Sequence, residues 1–300
     1  MSKLDAMSIF AAVVDNGSFT GAARQLGLPK STVSQRVAEL EQGLKLRLLH
    51  RTTRKLSLTE AGQLYLGFCR RIVETGQAAD AALSRLSGTP AGNLRLTAPE
   101  ASGRVLLPQL LAQFRRRHPQ VTVTCILADE QLDLVAERID LALRAGRMAD
   151  SSFVSRRLGP VRRLLVAAPD YLSRQGMPST PEALAQHALL VHDGSLQWPL
   201  RHDGGIYPLT PAAPTHLANN LGYLRSLALA GEGIAMLPLY LCRDDLMTGR
   251  LHTVLESCPP LDNIYYAIYP SRRHPSAALL ALLDFLVEYR FERLLTGVEP

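Results

Sequence analysis

The sequence predicts an α/β chain made of a small helical head, one long helix and a larger α/β part, and three observations carry that expectation. The first 58 residues hold short amphipathic helices separated by tight corners. Residues 59–88 keep a single helical period. From about residue 89, apolar strand-like runs alternate with helix-like ones. At 300 residues the chain is long enough for about two domains with cores of their own.

The basic charge is concentrated in the head. The net charge is +6, and residues 1–58 contain nine Lys and Arg against four Asp and Glu, whereas the rest nearly balances at 24 against 23. All four lysines, Lys3, Lys30, Lys45 and Lys55, lie in that stretch. A localised basic patch is the footprint of a nucleic-acid binder, because neutralising phosphates releases counterions. No run of about 18 apolar residues occurs, and "MSKLDAMSIF" lacks the apolar stretch of a secretion leader, so the expected location is the cytoplasm. Cys69, Cys125, Cys242 and Cys258 are scattered, without C-x-x-C or histidine at zinc-ligand spacing, and are expected to be buried, inert thiols.

In the head, "LDAMSIFAAVVDNGSF" sets Leu4, Met7, Phe10, Ala11, Val13 and Val14 on one helical face and stops at Asn16-Gly17. Ser18 then caps a short helix, "FTGAARQL", which ends at Gly27-Leu28-Pro29. The next helix, about Lys30 to Gly43, buries Val33, Val37, Leu40 and Leu44 and turns Lys30, Ser31, Thr32, Ser34, Gln35 and Arg36 to its other face. Two short helices at a tight corner, followed by one with a polar leading end, make a helix-turn-helix whose second helix enters the major groove. "LRLLHRTTRKLSLTEAG" adds two short strands, about Leu48 to Arg51 and Lys55 to Leu58, as a basic wing with Arg51, Arg54 and Lys55 over the phosphate backbone. Thr59 caps the long helix, in which Tyr65, Phe68, Ile72, Thr75, Ala79, Ala82 and Leu86 recur at the alternating spacing of a coiled-coil seam, so it is expected to pair with a second copy.

"SGTPAGN" breaks that helix. Strands are then expected at "LRLTAP", "VTVTCIL", "IDLALRAG", "FVSRRL", "RRLLVAAP", "ALLVH", "GIAMLP" and "NIYYAIYP". Helices are expected at "GRVLLPQLLAQFRRRHP", at "EQLDLVAER" and at about 220–230, 238–247 and 275–294. The alternation reads as parallel sheet with crossover helices in two lobes, with ligand sites outside the carboxyl ends of strands.

These residues resemble the LysR-type transcriptional regulators over essentially the full length. The resemblance rests on "FAAVVDNGSFTGAARQLGLPKSTVSQRVAELEQGLKLRLLHRTTRKLSLTEAG", with Ala22-Ala23, Leu26, Val33-Ser34, Leu40-Glu41, Leu48-Leu49, Arg51 and Leu58-Thr59-x-Ala61-Gly62 where the family pattern has them. Further matches are "PQLLAQFRRRHPQVTV", "ERIDLALRAG" and "GEGIAMLP". It implies a winged helix-turn-helix at 1–58, a dimerising linker helix at 59–88 and, at 89–300, a two-lobed effector domain similar to periplasmic solute-binding proteins. Lobe I is expected at about 93–162 and 266–300, and lobe II at about 163–265. It also implies double-stranded promoter DNA with an inverted repeat, a small-molecule effector between the lobes, a dimer of dimers, and RNA polymerase as a candidate partner, with no membrane partner. The family commonly has glycine where Lys45 stands, and Gly43 offers an earlier end to the helix.

The resemblance carries over DNA contacts to Lys30, Ser31, Thr32, Ser34, Gln35, Arg36, Arg51 and Arg54. Gln35 and Arg36 are the base-reading candidates, since both can pair with a purine edge, and the wing cations suit phosphate; Ser31 is alternatively a helix-start cap. For the effector, Ser102 stands where the first strand gives way to a helix start, a place that favours a carboxylate, so an organic acid is the candidate effector. Arg144, His192 and Asn219 occupy comparable strand ends; alternatively Arg144 pairs with an acid and the other two bond backbone in turns. "FRRRHP" at a helix end is read as a solvated basic terminus. An enzyme is the first rival, but no G-x-S-x-G, H-E-x-x-H or GxxxxGK[ST] motif, metal-ligand set or cofactor motif occurs. A purely architectural DNA-binding protein is the second, and has no use for a sensor part of roughly 200 residues.

Overall fold

The structure, a computed structural model, describes residues 3–51, 56–87, 89–146, 153–270 and 275–297. It divides into two compact units, Met1–Ser87 and Gly88–Pro300.

The first unit contains α1 (Lys3–Asp15), α2 (Phe19–Leu26), α3 (Lys30–Leu44), β1 (Leu49–Arg51), β2 (Leu56–Leu58) and α4 (Glu60–Ser87). Ser18 Oγ accepts from Gly21 N at 3.0 Å and starts α2. Gly27 ends it at φ 64, the left-handed conformation glycine adopts without a Cβ penalty. Phe10, Val13, Ala22, Val33, Val37, Leu40, Leu48 and Leu66 form one core. Leu4 is not on the buried face as expected: it is 53% exposed, while Ile9 and Ala12 are buried because α2, α3 and α4 all pack on α1.

Gly43 does not end α3. The helix continues to Leu44, and Lys45 takes the left-handed position at φ 55, its N–H donating to Gln42 O and Glu41 O. β1 and β2 pair antiparallel, Arg51 opposite Leu56. Arg54 and Lys55 lie outside the described residues, as does the side chain of Arg51. Thr59 Oγ1 accepts from Gly62 N at 2.9 Å and donates to Arg47 O at 2.7 Å, capping α4 and fastening it to the wing. A Cβ on Gly62 would stand 2.0 Å from Leu48 O, so this close approach requires glycine. Along α4, Leu66 and Cys69 are buried and Tyr65 and Ile72 pack beside them. Leu64 (72%) and Phe68 (49%) are exposed, as are Thr75 and Ala79; the side chains of Ala82 and Leu86 lie outside the described set.

The second unit contains β3 (Gly92–Ala98), α5 (Glu100–Arg117), β4 (Val121–Leu127), β5 (Leu141–Ala145), β6 (Phe153–Val161), β7 (Arg163–Ala167), α6 (Pro169–Gln175), β8 (Leu189–His192), β9 (Trp198–His202), β10 (Gly205–Leu209), β11 (His216–Ala218), α7 (Leu221–Leu229), β12 (Ile234–Pro238), α8 (Leu239–Met247), β13 (His252–Val254), β14 (Asn263–Pro270), α9 (Ala277–Glu288) and α10 (Phe291–Thr296). Two five-stranded sheets result, ordered β4-β3-β5-β14-β6 and β11-β8-β12-β7-β13. Each is mixed rather than parallel: β14 runs antiparallel to β5 and β6, and β7 antiparallel to β12 and β13. The chain passes between lobes twice, after Val161 and before Asn263, where β14 joins the first sheet a little ahead of the expected return at about 266. Arg163 Nε donates to Leu261 O at 2.7 Å and ties the two passages together.

Three further expectations change. "EQLDLVAER" is turns, not a helix: Asp133 Oδ1 accepts from Val135 N and Ala136 N, and Arg138 at φ 53 closes the segment after one turn. The C-terminal helix is broken at Arg290, φ 52, into α9 and α10. Cys125 is exposed on edge strand β4, whereas Cys69, Cys242 and Cys258 are buried.

Two substitutions test the head in opposite directions. Gly62→Ala should lower its stability by about 1–3 kcal/mol through overpacking against Leu48 O, and Lys45→Gly should raise it by about 1 kcal/mol by relieving a left-handed lysine. Urea unfolding followed by helical circular dichroism reads both.

Candidate functional site

The polar face of α3 is set by its apolar one. Val33, Val37 and Leu40 are buried, which leaves Lys30, Ser31 and Gln35 exposed and Thr32, Ser34 and Arg36 half-buried. Pro29 holds the N-cap, so Ser31 is not the cap that the sequence also allowed. Glu39 accepts from both base-reading candidates, from Gln35 Nε2 at 2.9 Å and Arg36 Nη1 at 2.8 Å. Glu41, two residues on, turns the other way: its Oε1 accepts from Leu48 N at 2.8 Å and Leu49 N at 3.1 Å, fixing the angle between α3 and β1.

In the second unit, Pro99 N-caps α5, which begins at Glu100, so Ser102 sits in its first turn rather than capping it. Ser102 is buried, and its hydroxyl donates to Pro99 O at 3.2 Å. It therefore accepts from the phenol of Tyr265, at 2.6 Å, and the phenol of Tyr240 interacts with the same hydroxyl. Those two tyrosines come from β14 and α8, one from each lobe. Burial pushes both phenols well above the usual tyrosine range.

Arg144 is not paired with an acid by a direct bond. Its Nη1 donates to Ala128 O at 2.6 Å, and Nη2 to Glu130 O at 2.9 Å and Thr97 Oγ1 at 3.3 Å. Burial lowers its pKa from the usual arginine value, partly offset by Tyr265 and Asp129. The consequence is a fixed 128–130 loop that presents Asp129. Asp129 Oδ1 accepts from Glu100 N at 2.9 Å, filling the start of α5, and Oδ2 accepts from Asn220 Nδ2 at 2.8 Å. The same amide reaches Glu100 Oε2 at 3.3 Å, while Asn220 Oδ1 caps α7 by accepting from Tyr223 N. Arg104, with help from Asn220, holds the Glu100 carboxyl below the usual range.

The structure thus gathers Ser102 and Arg144 at the lobe junction and leaves the other two candidates aside. His192 Nδ1 accepts from Gly194 N and Nε2 donates to Asn219 O, each at 3.0 Å, so its ring bonds backbone in a turn. Asn219 is exposed; its neighbour Asn220 makes the junction contacts.

A family model described as the LysR substrate binding domain matches residues 87–290, and one for the bacterial regulatory helix-turn-helix protein, lysR family, matches residues 4–63. The chain belongs to the LysR family. It is 37% identical over 286 residues to an HTH-type transcriptional regulator of Xanthomonas campestris pv. campestris, covering 93% of this chain and 83% of that protein. Full-length AphB, the virulence activator of Vibrio cholerae, matches with a TM-score of 0.64 and 29% identity over 97% of this chain and 100% of that one. CrgA, a LysR-type transcriptional regulator of Neisseria meningitidis, matches with a TM-score of 0.59 and 34% identity over 95% and 98%. This LysR-type chain is a DNA-binding transcriptional regulator with an effector-binding domain. Two of these relatives are named as transcriptional regulators and the third as a virulence activator. No described helix is long and apolar enough to cross a membrane.

Reading of the sequence missed Glu39, Asp129, Asn220, Tyr240 and Tyr265, and placed Glu41 only as a position of the family pattern. Only Asn220 left a local signal, since an N-cap stands directly before its helix. Arg144→Ala should cost the regulatory unit about 2–4 kcal/mol in thermal unfolding, because buried acceptors lose their donor. A second expectation concerns alkali. The folded unit keeps the Tyr240 and Tyr265 protons longer than the unfolded chain does. Their contribution to stability is therefore full below about pH 10 and declines above it. Melting temperature should fall less steeply above that pH in the Tyr240→Phe variant than in the unaltered protein.

Proposed function

We propose that the α3 face reads promoter DNA at an inverted repeat, two heads per dimer, with Lys30, Ser31, Thr32, Ser34, Gln35 and Arg36 in the groove and Arg51 and Arg54 on the flanking phosphates. The observation that carries this reading is the polar face itself, held outward by Val33, Val37 and Leu40 and oriented by Glu41. Exposed Leu64 and Phe68 on α4 support pairing with a second copy, and a dimer of dimers in the cytoplasm is the proposed assembly, with RNA polymerase as the partner at the promoter.

The effector is proposed to enter at the lobe junction beside Ser102 and Arg144. Asp129 already places a carboxylate against the start of α5. An organic acid would compete for that position, and displacing Asp129 would free Asn220 and loosen one lobe from the other. His192 and Asn219 serve the turn beside the junction. Sequence-dependent control of transcription, not catalysis, is the output.

Arg36→Ala should weaken binding to the protein's own upstream fragment by about 1–3 kcal/mol while costing random DNA less. Equal losses in a gel-shift titration would make Arg36 a phosphate contact. Ser102→Ala should reduce the shift in footprint produced by an active organic acid and leave DNA affinity intact; an unchanged response would remove Ser102 from the effector site.

A further inference from the structure

We propose that Glu39 is the positioning residue that gives the recognition helix its selectivity, by taking one donor from Gln35 and one from Arg36 and leaving each with the pair of groups that fits a purine edge. The proposal rests on the reading that α3 faces DNA.

The chemistry of the three side chains fixes the arrangement. An ionised carboxylate only accepts, so Gln35 must turn its amide nitrogen to Glu39 Oε1. What remains on Gln35 is one N–H beside one carbonyl oxygen, the donor and acceptor that complement N7 and the N6 amino group of adenine. Arg36 commits Nη1 to Glu39 Oε2. Its Nε–H and Nη2–H remain as two parallel donors, which match N7 and O6 of guanine. Both partners are one helical turn from Glu39, at i−4 and i−3, so one carboxylate reaches both without leaving the face.

Charge acts in the same direction. Binding to arbitrary DNA draws on phosphate contacts, which carry affinity without sequence information. Arg36 freed from Glu39 would serve as a phosphate cation, and the Glu39 carboxylate repels the phosphates it would approach. Glu39 therefore penalises unspecific binding more than specific binding. Its contribution to folding is small, because the pair is open to solvent on one side and lies within one helix.

The test compares the full-length protein on two fluorescent duplexes at three salt concentrations, one bearing the segment protected in its own upstream region and one of shuffled sequence. Glu39→Ala should keep the melting temperature, bind the shuffled duplex several-fold tighter and lower the specific-to-shuffled affinity ratio by about tenfold. The magnitude of the salt slope should rise by about one. Glu39→Gln, which keeps one acceptor oxygen, should fall between. In a Gln35→Ala/Arg36→Ala background, Glu39→Ala should change the ratio by less than about twofold. A ratio that Glu39→Ala leaves unchanged in an otherwise selective protein would overturn the positioning role alone. An equal fall in the double-variant background would overturn it too, by making Glu39 itself the base contact. If the unaltered protein does not distinguish the duplexes, the reading of α3 falls and the role of Glu39 with it.

Discussion

A half-buried carboxylate in a joint between elements does most to define this protein. Glu41, in the last turn of α3, accepts the N–H groups of Leu48 and Leu49, at the start of the wing. Leaving those two donors unpaired would cost about 1–3 kcal/mol each. The helix therefore cannot rotate relative to β1 without losing both. Lys45 in the left-handed conformation and the close contact of Gly62 with Leu48 O follow from the same compact joint.

The regulatory unit uses the same device with opposite charge. Arg144 is a buried cation whose donors go to backbone carbonyls of the 128–130 loop, and the loop, once fixed, delivers Asp129 to the first N–H of α5. A buried arginine without these acceptors would be strongly destabilising. From Asp129 the network passes to Asn220, which at the same time caps α7 in the other lobe. Ser102 bonds Tyr265 within its own lobe, and Tyr240 meets the same hydroxyl from the other. The junction between lobes thus carries a connected set of hydrogen bonds.

The parts legible in the sequence are those governed by local rules. The Ser18 cap, the Gly27 stop, the core positions of α3 and the apolar runs of β4 and β14 needed only periodicity and capping chemistry. Asp203-Gly204 between β9 and β10 is a hairpin signal of the same local kind, with φ of 45 and 75, that the reading passed over. "EQLDLVAER" misled because its apolar spacing suits a helix, while Asp133 prefers to bond the backbone of its own turn. Asp129 and Tyr240 were not legible at all. Each matters for a partner distant in sequence, and nothing in their own neighbourhoods distinguishes them from surface acids or core aromatics.

The central claim is that a fixed polar helix face reads one DNA sequence and that the lobe junction changes how it does so. Mapping the DNA protected by the full-length protein on fragments of its own upstream region, at fixed salt and with and without a panel of small organic acids, tests both halves together. The expected result is a protected inverted repeat whose footprint changes with one compound. Salt-sensitive binding without sequence preference, unaltered by every compound, would contradict it.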